Sequence, residues 1–332
     1  MVKSRRFFLS GAAAAFLGGC RRADTLRVSA SGFVGLSPAH LTEELGLFEQ
    51  MNVKVEWTPV QRSTEMIAMM AGGQLDVAFV TLQVSLFNAV PKGLTARIAS
   101  ARGHLVPGCN DSSAIFARRR VFPNGLTSVR QLKGKAVALP TPTGILSFYL
   151  GELLNRAGMS IIDLKIIILP ETESLAALAS GKVDAVLGTH AENGIEAPSL
   201  DLIRGPAFSA LHPGFQTHFI LFSQRLLADV EKGGRFLAAY FEGVREFRNG
   251  KTPRFLKDIV TQNNLVPEFP ERLCRDTYLL DGAVRVADLQ MYADWSLGRG
   301  FLSQPVNAAA VLDTRALQRA SAIRAEWKGN RS

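Results

Sequence analysis

The sequence predicts an α/β fold of two doubly wound α/β lobes, joined by two crossing strands and separated by a cleft. One observation is a near-repeat: AMMAGGQLDVAF, from Ala68 to Phe79, returns as ALASGKVDAVLG, from Ala177 to Gly188. A second is that both copies follow the same order of predicted helix, glycine and strand. A third is the length of 332 residues, which exceeds what one hydrophobic core usually supports. Ligands of such sheets bind beyond the carboxyl ends of the strands, so we expect a site between the lobes.

In each copy a predicted helix ends at glycine, and an aspartate then precedes a buried strand. Glycine takes the left-handed conformation that ends a helix at little steric cost, at Gly72-Gly73 and at Gly181. The runs VAFV and AVLG, which follow Asp76 and Asp184, are typical of a strand buried on both faces of a parallel sheet. Aspartate beside glycine commonly holds a turn, so both aspartates are assigned a structural role.

Helix starts support the same order of elements. Ser37 is followed by Pro38, a pattern that predicts an N-cap with proline at the first helical position. Ser63 or Thr64 opens the helix that leads into the first copy, and Thr172 opens the helix before the second.

Each half of the chain therefore contains one strand–helix–strand–helix–strand unit, at about residues 26–99 and 136–187. Two further strands, within residues 112–120 and 217–223, are predicted to cross between the lobes. From residue 225 onward the pattern is helical, and we expect this tail to pack on the first lobe. The predicted first lobe is discontinuous, at 26–105 and 216–325, and the second lobe spans 106–215.

Residues 1–19 are typical of an export signal, because a basic start precedes a short apolar run and small residues. The apolar run is shorter than the roughly 20 residues of a spanning helix. The stretch SRRFFLS, from Ser4 to Ser10, resembles the twin-arginine export motif. LGGC, which ends at Cys20, resembles the lipobox of bacterial lipoproteins, in which the cysteine is acylated. We expect a protein anchored by lipid at Cys20 on the periplasmic or other extracytoplasmic face of a membrane.

The charge balance disfavours a nucleic-acid partner. The net charge of the whole chain is +9, and removal of residues 1–19 takes away three basic residues and leaves +6. The basic residues are scattered, and the one tight run, Arg118-Arg119-Arg120, is typical of a solvated strand end.

The cysteines and histidines show no spacing typical of a metal site, and no motif of a catalytic nucleophile occurs. We expect neither a metal nor a cofactor. A disulfide between Cys109 and Cys274 is allowed outside the cytoplasm. Nothing in the sequence places these two residues together, so two unpaired thiols are the favoured prediction.

Four stretches carry a resemblance to a known family: LGLFEQMNVKVEW, AGGQLDVAFVTL, SVRQLKGKAVALPTPTG and ASGKVDAVLG. They resemble the solute-binding proteins of ABC importers, in the branch that includes binders of aliphatic sulfonates, taurine, nitrate and thiamine-type pyrimidines. The resemblance extends from about Leu26 to Leu312. It implies a type II periplasmic-binding fold and a monomer that captures a small molecule by hinge closure and delivers it to a membrane permease.

The resemblance also implies ligand-binding positions in both lobes. In the first lobe they are Ser31, Gly32, Phe33, Ser37, Ser63, Thr64, Val80 and Thr81, and in the second lobe they are Thr141, Thr143 and Gly144. His104, near the first crossing strand, and Thr189 and His190, after the second copy of the repeat, are further candidates. Relatives often have Trp-Glu-Pro after the second copy of the repeat, whereas this chain has Gly188-Thr189-His190-Ala191. That departure leaves the ligand open.

Some of these side chains have a structural alternative. His190 and His104 are interpreted either as donors to an acidic ligand group or as ordinary surface or hinge histidines. Phe33, Phe79 and Phe148 are able to pack against a ring, but phenylalanine in such apolar runs is typical of a core. Only Phe33 is therefore assigned to the ligand.

A small organic anion is the favoured ligand, because helix N-termini and backbone donors suit an anion and few acidic residues fall in the predicted loops. The alternatives are a thiamine-type pyrimidine or another neutral or aromatic amine. Thiamine-pyrimidine synthases share the fold implied by the resemblance, but their chemistry depends on a cysteine-rich segment that this chain lacks, so we expect no enzyme. A transcriptional regulator of this fold would carry a helix-turn-helix where this chain has its export signal.

Overall fold

The computed structural model describes residues 25–30, 34–60, 62–109, 113–188, 201–262 and 266–329. Several predicted features lie outside these residues and stay predictions: the export signal at 1–19, the lipidation site Cys20, and the ligand positions Ser31, Gly32, Phe33, Thr189 and His190.

The described residues form ten strands, which alternate with helices along most of the chain. The strands are β1 (Thr25–Ala30), β2 (Lys54–Pro59), β3 (Val77–Thr81), β4 (Arg97–His104), β5 (Ala114–Arg118), β6 (Ala136–Leu139), β7 (Lys165–Ile168), β8 (Ala185–Leu187), β9 (Leu202–Ala207) and β10 (Gln216–Phe222). The helices are α1 (Ser37–Glu44), α2 (Leu47–Gln50), α3 (Ser63–Ala71), α4 (Val84–Ala89), α5 (Ile145–Arg156), α6 (Glu171–Ser180), α7 (Gln224–Ala228), α8 (Val230–Arg248), α9 (Arg254–Gln262), α10 (Val286–Gly298) and α11 (Arg315–Gly329).

The strands assemble into two five-stranded sheets. The first has the order β2-β1-β3-β10-β4, and the second has the order β7-β6-β8-β5-β9. Strands β1, β2 and β3 are parallel, as are β6, β7 and β8, whereas β10 and β5 run antiparallel to their neighbours. This architecture confirms the predicted fold class of two α/β lobes.

The aspartate in each copy of the repeated sequence connects neighbouring strands of its sheet by hydrogen bonds. The side chain of Asp76 accepts a hydrogen bond from the backbone N–H of Arg27 at 3.0 Å, and its own N–H donates to the Arg27 carbonyl at 2.8 Å. Asp184 makes the same pair of bonds with Ala136, at 2.9 and 2.8 Å. The aspartates are structural, as predicted, but they join two parallel strands instead of holding a local turn.

Asp76 has a further role because its side chain is 1% exposed and pairs with two arginines. Arg27 and Arg225 contact the carboxylate at 3.0 and 2.8 Å. Burial alone would raise the pKa of Asp76, but the hydrogen bonds from the two guanidinium groups outweigh it and lower that pKa. The carboxylate therefore stays ionised inside the first lobe.

The two predicted crossing strands are present, as β5 and β10, and each becomes the antiparallel member of its sheet. The strand β9 was not predicted. Its sequence, LIRGPA, contains both glycine and proline, and it is held at the edge of the second sheet by pairing with β5. Non-local pairing thus overrides a weak local preference.

The helical tail packs on both lobes, so the expectation that it packs on the first lobe holds only in part. Helices α8 and α11 pack together over the first sheet. Helix α10 instead contacts α5 of the second lobe, where the rings of Tyr292 and Trp295 both lie 5.5 Å from the ring of Phe148. Aromatic residues on one face of α10 account for this packing, because each buries a large apolar area. Phe148 and Phe79 are buried in the core, as predicted.

The prediction of two unpaired thiols is wrong, because Cys109 and Cys274 form a disulfide with their Cα atoms 5.5 Å apart. Cys109 follows β4, and Cys274 lies in the tail, 165 residues later. The fold brings these two loops together, and their separation in sequence gave no means to predict it.

Among the residues that the structure describes, no helix has the length and apolar character needed to cross a membrane.

Candidate functional site

In the first lobe, the predicted residues cluster where β3 ends and α3 begins. Ser63 is the first residue of α3, and its hydroxyl accepts a hydrogen bond of 3.0 Å from the backbone N–H of Thr81. Thr64 is exposed beside it, Thr81 is half-buried, and Val80 is buried in the core. Ser63 thus fixes the end of β3 against the helix N-terminus, where free backbone N–H groups favour negative charge.

Ser37 is placed differently from the prediction. It is the first residue of α1 and is fully buried, and its hydroxyl donates to the carbonyl of Val34 at 2.6 Å instead of capping the helix.

In the second lobe, the loop between β6 and α5 is held by hydrogen bonds that involve its own threonines. The hydroxyl groups of Thr141 and Thr143 lie 3.1 Å apart, and the Ser147 hydroxyl donates to the Thr141 carbonyl. A side chain at Gly144 would place its Cβ 2.7 Å from the methyl carbon of Thr141. The tight loop therefore needs glycine immediately before the first residue of α5.

The two loops meet at the junction of the lobes. Gln83, two residues after Thr81, forms an antiparallel bridge with Gly144. The hydroxyl of Tyr292 in α10 donates to the Thr143 carbonyl at 2.7 Å, so the tail also reaches this loop. The structure therefore brings together the predicted residues Ser63, Thr81, Thr143 and Gly144, which come from both lobes.

Arg102 is a residue that sequence reasoning missed. It lies in β4, is 6% exposed, and donates through Nη1 to the carbonyl of Gly35. Its guanidinium carbon lies 5.8 Å from the centre of the Phe79 ring. Its Nε has no hydrogen-bond partner, and no carboxylate pairs with it among the described residues. The sequence did contain a signal for Arg102, because it lies within the strand RIASARGH and arginine is rarely buried.

His218 and Tyr240 lie near this guanidinium. His218 pairs with Thr81 in the β3–β10 register, and its Nδ1 lies 3.0 Å from the Thr217 hydroxyl. Burial, and after it the charge of Arg102, lowers the pKa of His218 to about 3, so the ring is neutral at physiological pH. Burial also raises the pKa of Tyr240, and its hydroxyl has no hydrogen-bond partner within the described ranges.

His104 ends β4 and lies opposite Gln216 of β10. It is half-buried, and its Nδ1 has no hydrogen-bond partner. Burial, followed by the charges of Arg248 and Arg285, lowers the pKa of His104, which makes it a neutral donor or acceptor. Within the described part of the chain, no group of three or more histidine, cysteine, aspartate or glutamate residues is placed to hold a metal ion.

Solved structures of similar fold include periplasmic binding proteins. The alkanesulfonate-binding protein SsuA from Xanthomonas axonopodis pv. citri, bound to MOPS, superposes with a TM-score of 0.66 at 18% identity, over 87% of this chain and 98% of that one. The periplasmic nitrate-binding protein NrtA from Synechocystis PCC 6803 gives a TM-score of 0.69 at 12% identity, over 91% and 89%. Identities this low establish the shared fold, which confirms the periplasmic-binding architecture.

The family follows from the sequence match. A family model described as NMT1/THI5 like matches residues 36–249, and the chain belongs to that family. Proteins of Brucella abortus (strain 2308) and Brucella suis biovar 1 (strain 1330), both named "Putative binding protein", are 25% identical to it over 187 residues. Those alignments cover 55% of this chain and 54% of each relative, so the match spans about half the length of these curated relatives.

Proposed function

We propose that this protein is the extracytoplasmic solute-binding component of an ABC importer. It captures a small anion, either an organic one such as a sulfonate or a carboxylate, or nitrate, by closing its lobes, and it delivers the anion to a membrane permease. The protein has no catalytic role in this account. The fold, the family and the names of the relatives support a binding function.

The observation that carries the proposal is the meeting of two polar loops at the lobe junction. Ser63 and Thr81 hold one loop, and Gly144 of the other loop pairs with Gln83. Each loop lies at the N-terminus of a helix of at least nine residues, α3 or α5. Such termini carry unpaired N–H groups and partial positive charge, so both lobes offer donors to an anion.

A ligand screen tests the proposal. Calorimetric titration and thermal unfolding would be run with methanesulfonate, ethanesulfonate, taurine, nitrate, acetate and the hydroxymethyl-aminopyrimidine of thiamine. A true ligand at one hundred times its dissociation constant raises the free energy of unfolding by about 2.7 kcal/mol. Stabilisation by the pyrimidine alone would replace the anion with the alternative ligand that the sequence resemblance implies. No binding by any compound in the set would count against a small-anion carrier.

A pair of variants tests whether the ligand binds at the loop between β6 and α5. Thr143→Val removes a hydroxyl from the junction loop, whereas Thr261→Val removes one that donates only to the Lys257 carbonyl within α9. We expect weaker anion binding in Thr143→Val and unchanged binding in Thr261→Val. Equal affinities for the two variants would place the ligand elsewhere.

The membrane location is a separate part of the proposal. It depends on the lipobox ending at Cys20, so Cys20→Ser should move the protein from the membrane fraction to the soluble extracytoplasmic fraction. Retention of Cys20→Ser on membranes would contradict the lipid anchor and leave the binding function untouched.

A further inference from the structure

One buried cation of the first lobe, Arg102, has no ion-pair partner in the described part of the chain. Arg102 is 6% exposed, and its guanidinium donates to the Gly35 carbonyl and contacts the Phe79 ring. Among the described residues no aspartate or glutamate forms an ion pair with it. A buried charge without a counter-charge is expensive, so a protein keeps one only where something compensates for it.

A second buried group beside Arg102 is also unsatisfied. Tyr240 is fully buried on α8, and its hydroxyl has no hydrogen-bond partner among the described residues. Its ring centre lies 5.6 Å from that of Phe79, the ring that the Arg102 guanidinium also contacts. The Nε of Arg102 is likewise without a partner. Two unused donors, on β4 and α8, therefore belong to side chains that contact the same Phe79 ring in the first lobe. Unused buried donors of this kind are suited to hold an oxyanion.

The sheet face that carries this region continues toward the lobe junction. Phe79 and Val77 of β3 share one sheet face with Ile220 and Phe222 of β10, in the core beneath α8. Because alternate residues of a strand share a face, Thr81 and His218 lie on that same face at its junction end. Both are partly exposed, so the cluster of Arg102, Tyr240, His218 and Thr81 extends from the interior to the loop held by Ser63.

We propose that this cluster is a subsite for the acidic head of the ligand, and that it selects a head with a single negative charge. The inference rests on the proposed function and specifies its ligand class. The Arg102 guanidinium supplies the only formal positive charge of the four side chains. The hydroxyl groups of Tyr240 and Thr81, together with the neutral His218, supply uncharged hydrogen bonds. A sulfonate or carboxylate head is neutralised by one guanidinium, whereas sulfate or hydrogen phosphate would carry an uncompensated second charge into the subsite.

Binding measurements on two matched variants test this. Arg102→Met removes the charge and keeps an unbranched side chain, whereas Arg118→Met removes another buried arginine with unpartnered nitrogens, at the end of β5 in the second lobe. We expect Arg102→Met to weaken ethanesulfonate binding by about 10- to 100-fold, since hydrogen bonds to charged groups are worth that much. Arg118→Met should bind ethanesulfonate with wild-type affinity. Without ligand, Arg102→Met should unfold at the wild-type temperature or above it, because an unmatched buried charge has been removed.

The outcomes separate the subsite from the proposed function. If the wild type binds ethanesulfonate and Arg102→Met binds it equally well, the subsite is wrong and the anion-binding function stands. A loss of affinity in Arg118→Met as large as that in Arg102→Met would also overturn the subsite. If no anion binds the wild type, both proposals fail. If Arg102→Met does not fold, the wild type alone still tests the subsite. Binding of sulfate to the wild type as tightly as methanesulfonate would contradict selection for one negative charge.

Discussion

The hydroxyl of Tyr292 donates a 2.7 Å hydrogen bond to the carbonyl of Thr143, and so connects the helical tail to the binding loop of the second lobe. The same tyrosine stacks on Trp295 and meets Phe148 edge to face. A residue of α10 thereby holds the backbone of the loop that is predicted to face the ligand. The tail consequently contributes to the geometry of the lobe junction.

We expect Tyr292→Phe to lower the free energy of unfolding by about 1 kcal/mol, because it deletes one hydrogen bond and keeps the ring. Tyr240→Phe is the matched control, since the hydroxyl of Tyr240 has no partner and its removal should leave stability unchanged in the absence of added anion. Urea unfolding of both variants measures the difference. A larger loss in Tyr240→Phe than in Tyr292→Phe would contradict the assigned hydrogen bonds.

Gly144→Ala should destabilise the protein by about 1 to 3 kcal/mol, because the added methyl group would crowd Thr141 at 2.7 Å. Gly298, the last residue of α10, has open space around its Cβ position. Gly298→Ala should therefore raise stability by up to about 1 kcal/mol. Thermal unfolding of the two variants is the test, and stability changes of the same sign would contradict the described loop.

The disulfide should contribute about 2 to 5 kcal/mol, because it closes a loop of 165 residues in the unfolded chain. We expect the double variant Cys109→Ser/Cys274→Ser to unfold at lower temperature than the wild type. Addition of dithiothreitol should lower the unfolding temperature of the wild type toward that of the variant and should leave the variant unchanged. A wild type that does not respond to reductant under unfolding conditions, with a mass showing two free thiols, would contradict the bond.

Acid should destabilise the fold partly through His218. The pKa of this residue falls from 6.5 to about 3 on folding, so between these pH values the unfolded chain binds more protons than the folded one. The free energy of unfolding therefore decreases as the pH drops from about 6.5 toward 3, by up to about 1.4 kcal/mol per pH unit for this group. His218→Gln should reduce that slope, and above pH 7 the two stability curves should run parallel. Equal slopes between pH 4 and 6 in urea titrations would contradict a neutral His218 ring in the folded protein.

Short sequence patterns correctly predicted the helix ends and the buried strands. The glycine stops and the apolar runs after Asp76 and Asp184 predicted two similar parallel sheets, and the described sheets have that form. The family resemblance, and not a local pattern, implied ligand positions at Thr141, Thr143 and Gly144, and this loop lies at the lobe junction.

The features that escaped prediction depend on non-local contacts. The Cys109–Cys274 bond and the contact of α10 with the second lobe each join segments more than a hundred residues apart. Arg102 is unusual for a strand, but only the packed first lobe shows that it is buried and that no carboxylate among the described residues pairs with it. A sequence shows which charges a chain has, but only the fold shows which of them are paired.

Amide hydrogen exchange with and without ethanesulfonate tests the central claim, capture between the two lobes, most directly. We expect the ligand to slow exchange at residues 81–83 of the first lobe and at 143–144 of the second, with the same concentration dependence. Protection confined to one lobe, or exchange unchanged at both loops while ethanesulfonate is bound, would contradict capture at this junction.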